Sequence, residues 1–105
     1  MSDTSPVYMI VMLDIDDMPA FFEDYAKPLQ AIHAKHGVEV LAATPEPQVL
    51  EGEYAKSFTV MLKFASAKAH ADWWADPDYQ PLRKRRHELT NTDTSVALVV
   101  PSFAP

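Results

Sequence analysis

Residues Val7 to Ile15 run Val-Tyr-Met-Ile-Val-Met-Leu-Asp-Ile, apolar at odd and even positions alike. A β-strand sends alternate side chains to opposite faces, so this segment needs apolar cover on both. That requirement restricts the chain to folds with a central strand sandwiched between two layers. Phe58 to Glu88 carries the next strongest pattern. It opens as an apolar strand, Phe58 to Phe64, and continues as a short helix ending in Trp73-Trp74. Asp76-Pro77-Asp78-Tyr79-Gln80 follows, and then a basic run from Arg83 to His87.

The remaining elements fall between these two. Asp16 and Asp17 offer an N-cap, with Pro19 in the first turn, where its missing amide costs nothing. Phe21, Phe22, Tyr25, Leu29, Ile32 and His36 recur at helical spacing, and Pro28 inside that run predicts a kink or brief break. Lys35-His36-Gly37 is a helix stop, with cations in the last turn and glycine beyond it. Val38 to Ala43 reads as a strand interrupted by Pro45 and Pro47, which suits a sheet edge, and Val49-Leu50 is expected to resume the pairing. Ser66 caps a helix over Ala67 to Ala75, expected to bury Ala71 and one of the two tryptophans. A further helical piece follows Asp76-Pro77, with Pro81 in its first turn if Asp78 is the cap, and Asp93 to Val100 is the last strand.

The order is β-α-β-β-α-β with a split second helix. Two helices on one face of a four-stranded antiparallel sheet give the ferredoxin-like solution of the α+β class. The first and last strands are apolar on both faces, yet the helices can cover only one. A second copy of the sheet is the simplest cover for the other, so a homodimer packed sheet face to sheet face is expected.

The 105 residues suffice for one domain (1–105) with its core in 7–100, between a short polar N-terminal tail and a Pro-rich C-terminal tail. Two glycines argue against a Gly-rich phosphate loop. The absence of cysteine removes disulfides, thiolate metal sites and a thiol nucleophile. A net charge of −6 disfavours nucleic acid and anionic membranes as partners. No signal peptide or membrane span is legible, which makes the cytoplasm the expected compartment.

The chain resembles the bacterial family known as domain of unknown function 1330, within the dimeric α/β-barrel superfamily. The resemblance is carried by Tyr8 to Asp14, by the helix with Tyr25, Pro28 and Lys35-His36-Gly37, and by Val49-Leu50-Glu51-Gly52. Phe64-Ala65-Ser66, Ala71-Asp72-Trp73-Trp74, Asp76-Pro77-Asp78-Tyr79-Gln80 and Arg86 complete it. It departs where the family has Glu-Phe-Pro-Ser and this chain has Lys63-Phe64-Ala65-Ser66, and at Trp73-Trp74, where Trp-Tyr is usual. The resemblance implies the fold and the dimer but no activity. Relatives in the superfamily range from cofactor-free monooxygenases and haem-degrading enzymes to non-catalytic barrels.

Candidate chemistry follows from the residue types. Tyr8, Tyr25, Trp73, Trp74 and Tyr79 are rings with polar tips, suited to lining a cleft between helices and sheet, while Phe21 and Phe22 read as core. Arg86 is spaced from Tyr79 and Leu82 so as to face the protein, where it is expected to pair with Asp14, Glu51 or a ligand carboxylate, a structural ion pair being the simpler use. His33 and His36 lie three apart, but no carboxylate at helical spacing completes a metal site, so neither a metal nor a cofactor is expected. Asp14 marks an exposed strand end unless it lies beside one of these histidines as an acid–base couple. The first reading is a homodimer that binds a small organic molecule in a helix–sheet cleft. Tyr25, Trp74, Tyr79 and Arg86 would contact that molecule, and His33 would move a proton in cofactor-free proton-transfer or oxidation chemistry. The alternative is a non-catalytic dimeric module for a metabolite or a protein partner.

Overall fold

Local signals in the chain translate into elements with few exceptions. A computed structural model describes residues 5–103, so most of the polar N-terminal tail and the last two residues lie outside the described residues. Strand β1 (Val7–Leu13) is followed by a short helix α1 (Met18–Phe21), a π-helical segment (Phe22–Ala26) and helix α2 (Lys27–His36). Strands β2 (Glu39–Thr44) and β3 (Phe58–Phe64), helices α3 (Ala67–Ala75) and α4 (Gln80–Leu89) and strand β4 (Val96–Pro101) complete the order.

Three caps do the expected work, while α4 has Tyr79 and not Asp78 at its start, with no side-chain cap. Asp17 Oδ1 accepts from the Ala20 amide at 3.0 Å, and Ser66 Oγ accepts from the Ala69 amide at 3.1 Å. At Gly37 the backbone turns left-handed (φ 65°), and the Val38 amide closes onto the His33 carbonyl at 2.9 Å in a Schellman motif. Pro81 sits in the first turn of α4, preceded by Asp76, whose Oδ1 accepts from the Asp78 amide at 2.8 Å in an Asx turn.

Pro28 neither kinks nor ends the helix in the expected way. The chain widens into the π turn just before it, and the Lys27 amide bonds to the Phe22 carbonyl five residues back. Proline offers no N–H to the carbonyl four residues earlier and crowds it, so a wider turn relieves both problems. The consequence is positional. Steps of four residues in a pure α-helix drift by about 40° each, yet Phe21, Tyr25, Leu29 and His33 are all buried. The wider turn takes up part of that drift.

The four strands pair antiparallel in the order β2-β3-β1-β4. β1 and β3 occupy the middle, as their apolar sequences require. Side chains of Val7, Met9, Val11 and Leu13 point into the core with Leu62 and Phe64 of β3. The helices cover this face. The opposite face carries Tyr8, Ile10 and Met12, flanked by Val100, Leu98 and Val96 of β4. Leu98 is 47% exposed there, and Met61, beside Ile10 on β3, is 38% exposed.

Some expectations are corrected. Ala71 is exposed and Phe22 is nearly half exposed, because the π turn directs Phe21 and not Phe22 into the core. Val49 and Leu50 do not resume β2 pairing. They lie exposed in the long β2–β3 connection, where Pro45 and Pro47 have already ended the ladder. Asp93 belongs to the turn before β4, which starts at Val96.

Candidate functional site

Between the helical layer and the sheet lies a cavity of about 180 Å³. Met9, Val11 and Leu13 of β1 with Val60 and Leu62 of β3 form its sheet wall. The opposite wall comes from the π segment, α2 and the two later helices. The polar groups that line it are Tyr25, Gln30, His33, Tyr79 and Arg86, with no Asp or Glu among the lining residues. Each is placed by a feature already described.

Tyr25 sits in the π turn, and its hydroxyl lies 3.0 Å from that of Tyr79, which is completely buried just before α4. Burial, then the neighbouring Tyr79, push the Tyr25 hydroxyl well above its ordinary pKa, against the opposing pull of Arg86. The Tyr25 phenol therefore keeps its proton at neutral pH. Either hydroxyl can be the donor in the mutual bond, since a phenol both donates and accepts.

His33, in the last turns of α2, is 5% exposed and stacks on Trp73 with centroids 5.8 Å apart. Burial lowers its pKa to about 4, so the ring is neutral at pH 7. Its Nδ1 is buried with no hydrogen-bond partner among the described residues. His36, three residues on, does something else: its Nε2 lies 2.7 Å from Oδ2 of Asp76, which also receives Lys35 Nζ at 2.8 Å. These two donors and the Asp78 amide hold the buried Asp76 carboxyl well below the usual carboxylate range. The cluster latches the end of α2 to the α3–α4 junction. No group of three or more His, Cys, Asp or Glu side chains among the described residues is arranged to hold a metal.

Arg86 is 6% exposed and lies in α4, whose end is tied to the segment after β1 by the Asp16 amide on the Leu89 carbonyl and by an Ile15–Thr90 bridge. Its guanidinium carbon is 5.9 Å from the Tyr25 ring centre. The expected ion pair with Asp14 or Glu51 is absent, and the Arg86 side chain has no carboxylate partner among the described residues. Asp14 instead accepts from Thr94 Oγ1, in the turn before β4, at 2.9 Å. Glu51 lies exposed in the β2–β3 loop.

The structure thus brings Tyr25, His33, Tyr79 and Arg86 to one cavity and leaves two of the anticipated rings out of it. Trp74 is half-buried beneath the Arg83 guanidinium, 4.4 Å from its ring centre, and lines a separate cavity that Arg86 also borders. Trp73 takes the inward place, 1% exposed and 4.4 Å from the Tyr79 ring. Tyr8 lies on the opposite face of the sheet. Asp76 is the residue that sequence reasoning passed over as a helix start, and its only local signal was the Asp-Pro pair.

An α+β fold of this order, with one helical layer and a bare second sheet face, defines the ferredoxin-like class, and solved structures share it. One is a protein of unknown function, RPA0582, from Rhodopseudomonas palustris (TM-score 0.77, 15% identity, covering 97% of this chain and 85% of that one). Another is a dabb family protein with a ferredoxin-like fold from Mesorhizobium loti (TM-score 0.72, 12% identity, covering 95% and 99%). A third is SnoaB, a cofactor-independent oxygenase from Streptomyces nogalater (TM-score 0.67, 16% identity, covering 96% of each chain). Within that class the chain belongs to the family described as domain of unknown function (DUF1330), whose model matches residues 6–100. No curated protein matches the sequence. No helix among the described residues is long and apolar enough to cross a membrane.

Proposed function

We propose that this protein is a homodimer that takes a small, partly apolar organic molecule into the helix–sheet cavity, with His33 moving a proton to or from it. The observation that carries this reading is the cavity itself: an apolar space of about 180 Å³ into which two phenols, a neutral imidazole and a guanidinium converge. Sites for small molecules have this make-up, mostly apolar walls with a few placed polar groups. The unpartnered Nδ1 of His33 supports it, since a buried polar atom without a partner is costly unless something binds there. The same fold in a cofactor-independent oxygenase, SnoaB, is precedent for chemistry that needs no metal or prosthetic group. Proton abstraction from an acidic organic substrate, or its oxidation once polarised, is the class this lining suits.

One observation favours the second reading, a non-catalytic binding module. No carboxylate among the described residues orients His33, and its pKa of about 4 leaves it a weak base unless a bound anion raises it. Both readings require occupancy of the cavity, and a fragment screen by NMR tests that. Shift changes centred on Tyr25, His33, Trp73 and Tyr79, abolished by the space-filling substitution Val60→Phe, are expected. Shifts scattered over the outer surface, or unaffected by Val60→Phe, would sink the reading. Among the fragments that bind, exchange of a carbon-bound proton that stops in His33→Gln selects the catalytic form.

A further inference from the structure

We infer that the ligand of this cavity is a single-ring aromatic carboxylate, its carboxylate held by Arg86 and the Tyr25–Tyr79 hydroxyl pair and its ring against Trp73 and Tyr79. The inference rests on the cavity-binding reading above and adds charge, size and shape to it.

Charge is the first argument. The protein carries 15 acidic and 9 basic side chains, yet the cavity is lined by one guanidinium and no carboxylate. A buried cation is ordinarily found with its counter-ion, because desolvating it alone is unfavourable by several kcal/mol. Four other cations are paired, Arg85 with Asp24 and Glu88, Lys35 with Asp76, Lys68 with Asp72 and Lys27 with Glu23, while Lys56, Lys63, Arg83 and Lys84 have no carboxylate partner among the described residues but reach water. Arg86, more buried than any of these, has no such partner among the described residues. A planar fork of N–H donors matches the planar carboxylate with two parallel bonds. The hydroxyl pair, whose Tyr25 ring lies beside the guanidinium, supplies a further hydrogen-bond donor.

Size and shape follow. An apolar cavity of about 150 Å³ holds a benzene ring, so about 180 Å³ admits one ring with a one-carbon acid group and excludes fused ring systems without expansion. Trp73 and Tyr79, tilted 30° at 4.4 Å, and Phe21 present aromatic faces and edges to that space. Aromatic rings pack on such surfaces with offset or edge contacts.

Benzoate and benzamide, equal in shape and different in charge, are the probes, with binding read by calorimetry and by NMR shifts at the Trp73 indole. At neutral pH benzoate is expected to bind at least ~10-fold tighter than benzamide. Arg86→Gln should abolish that preference, and Arg86→Lys should retain part of it. Cyclohexanecarboxylate should bind more weakly than benzoate. Should Arg86→Gln fail to fold, the benzoate-to-benzamide ratio in the wild-type protein still decides. Equal binding of the two probes in the cavity, or a preference untouched by either Arg86 substitution, overturns the carboxylate inference and leaves the cavity reading standing. Binding of neither probe at the Trp73 indole overturns the inference as well. Fragment hits at the cavity would then keep the broader reading, and their absence would remove both.

Discussion

At the residue scale, burial decides which titratable groups act at neutral pH. His33 has a folded-state pKa lowered to about 4, whereas an unfolded histidine titrates near 6.5. Between those values the unfolded chain binds more protons than the folded one, so stability is greatest above the upper value and falls as pH drops towards the lower. His70, also lowered by burial among Phe64 and Trp73, contributes with the same sign. Thermal unfolding of the wild-type protein should therefore show a melting temperature several degrees lower at pH about 4.5 than at about 7. His33→Leu should shrink that difference without removing it. An unchanged pH difference in the variant would mean that His33 is not desolvated as described. Asp76 acts in a separate window. Its carboxyl is depressed by Lys35, His36 and the Asp78 amide, so its contribution is present at neutral pH and lost only at acidities beyond the ordinary carboxylate range. Asp76→Ala should destabilise the protein throughout the neutral range by releasing α2 from the α3–α4 junction. Partial melting of α2 in hydrogen exchange would report it.

The site was legible in the sequence only where spacing settles orientation. Tyr79, Leu82 and Arg86 lie three and four apart, which was enough to turn Arg86 inward. It was not enough to show that Arg86 would lack a carboxylate, because Asp14 and Glu51 are placed by loops whose geometry no periodicity reports. The choice between Trp73 and Trp74 depended on the helix phase, and adjacent positions differ by about 100°.

At the element scale, the strands, caps and helix order were read from local chemistry with small errors at the ends. β3 and α3 have the anticipated bounds, Phe58–Phe64 and Ala67–Ala75, because Ser66 starts the helix and the apolar run ends at Phe64. The π turn was not legible. Pro28 announces a disturbed ladder, but whether it kinks, breaks or widens depends on tertiary packing of Phe21, Tyr25 and Leu29. The Ser66 cap gives a direct test of how much such local signals contribute. Ser66→Ala removes the acceptor for the Ala69 amide and should lower unfolding free energy by about 1 kcal/mol in urea titration. A change below about 0.3 kcal/mol would mean that water replaces the hydroxyl without loss. Because α3 carries Trp73, fraying at its start should also loosen the aromatic floor of the cavity, seen as faster exchange at the Trp73 indole.

At the scale of the whole molecule, the unresolved demand is the one made by the first strand. Val7, Met9, Val11 and Leu13 are buried by the helices, but Ile10 lies on the other face in a row with Met61 of β3 and Leu98 of β4. Val96 and Val100 extend that row along β4, at 38% and 40% exposure. A contiguous apolar sheet face of this kind is unusual on a monomer and marks an interaction surface. The proposed homodimer covers it with the same face of a second copy, an arrangement that repeats each contact by two-fold symmetry. Leu98→Glu separates the interface from the fold, because Leu98 already has about half its surface in water while Ile10 and Met61 hold the centre of the row. Two carboxylates brought near the two-fold axis, each desolvated, disfavour association by several kcal/mol. Light scattering on the wild-type protein should give a mass near twice the 11.8 kDa of the chain, and Leu98→Glu a mass near that of one chain with an unchanged far-ultraviolet spectrum. A monomeric wild-type protein at micromolar concentration would exclude the sheet-face dimer. The helix-side cavity would then have to bind its ligand without a partner subunit.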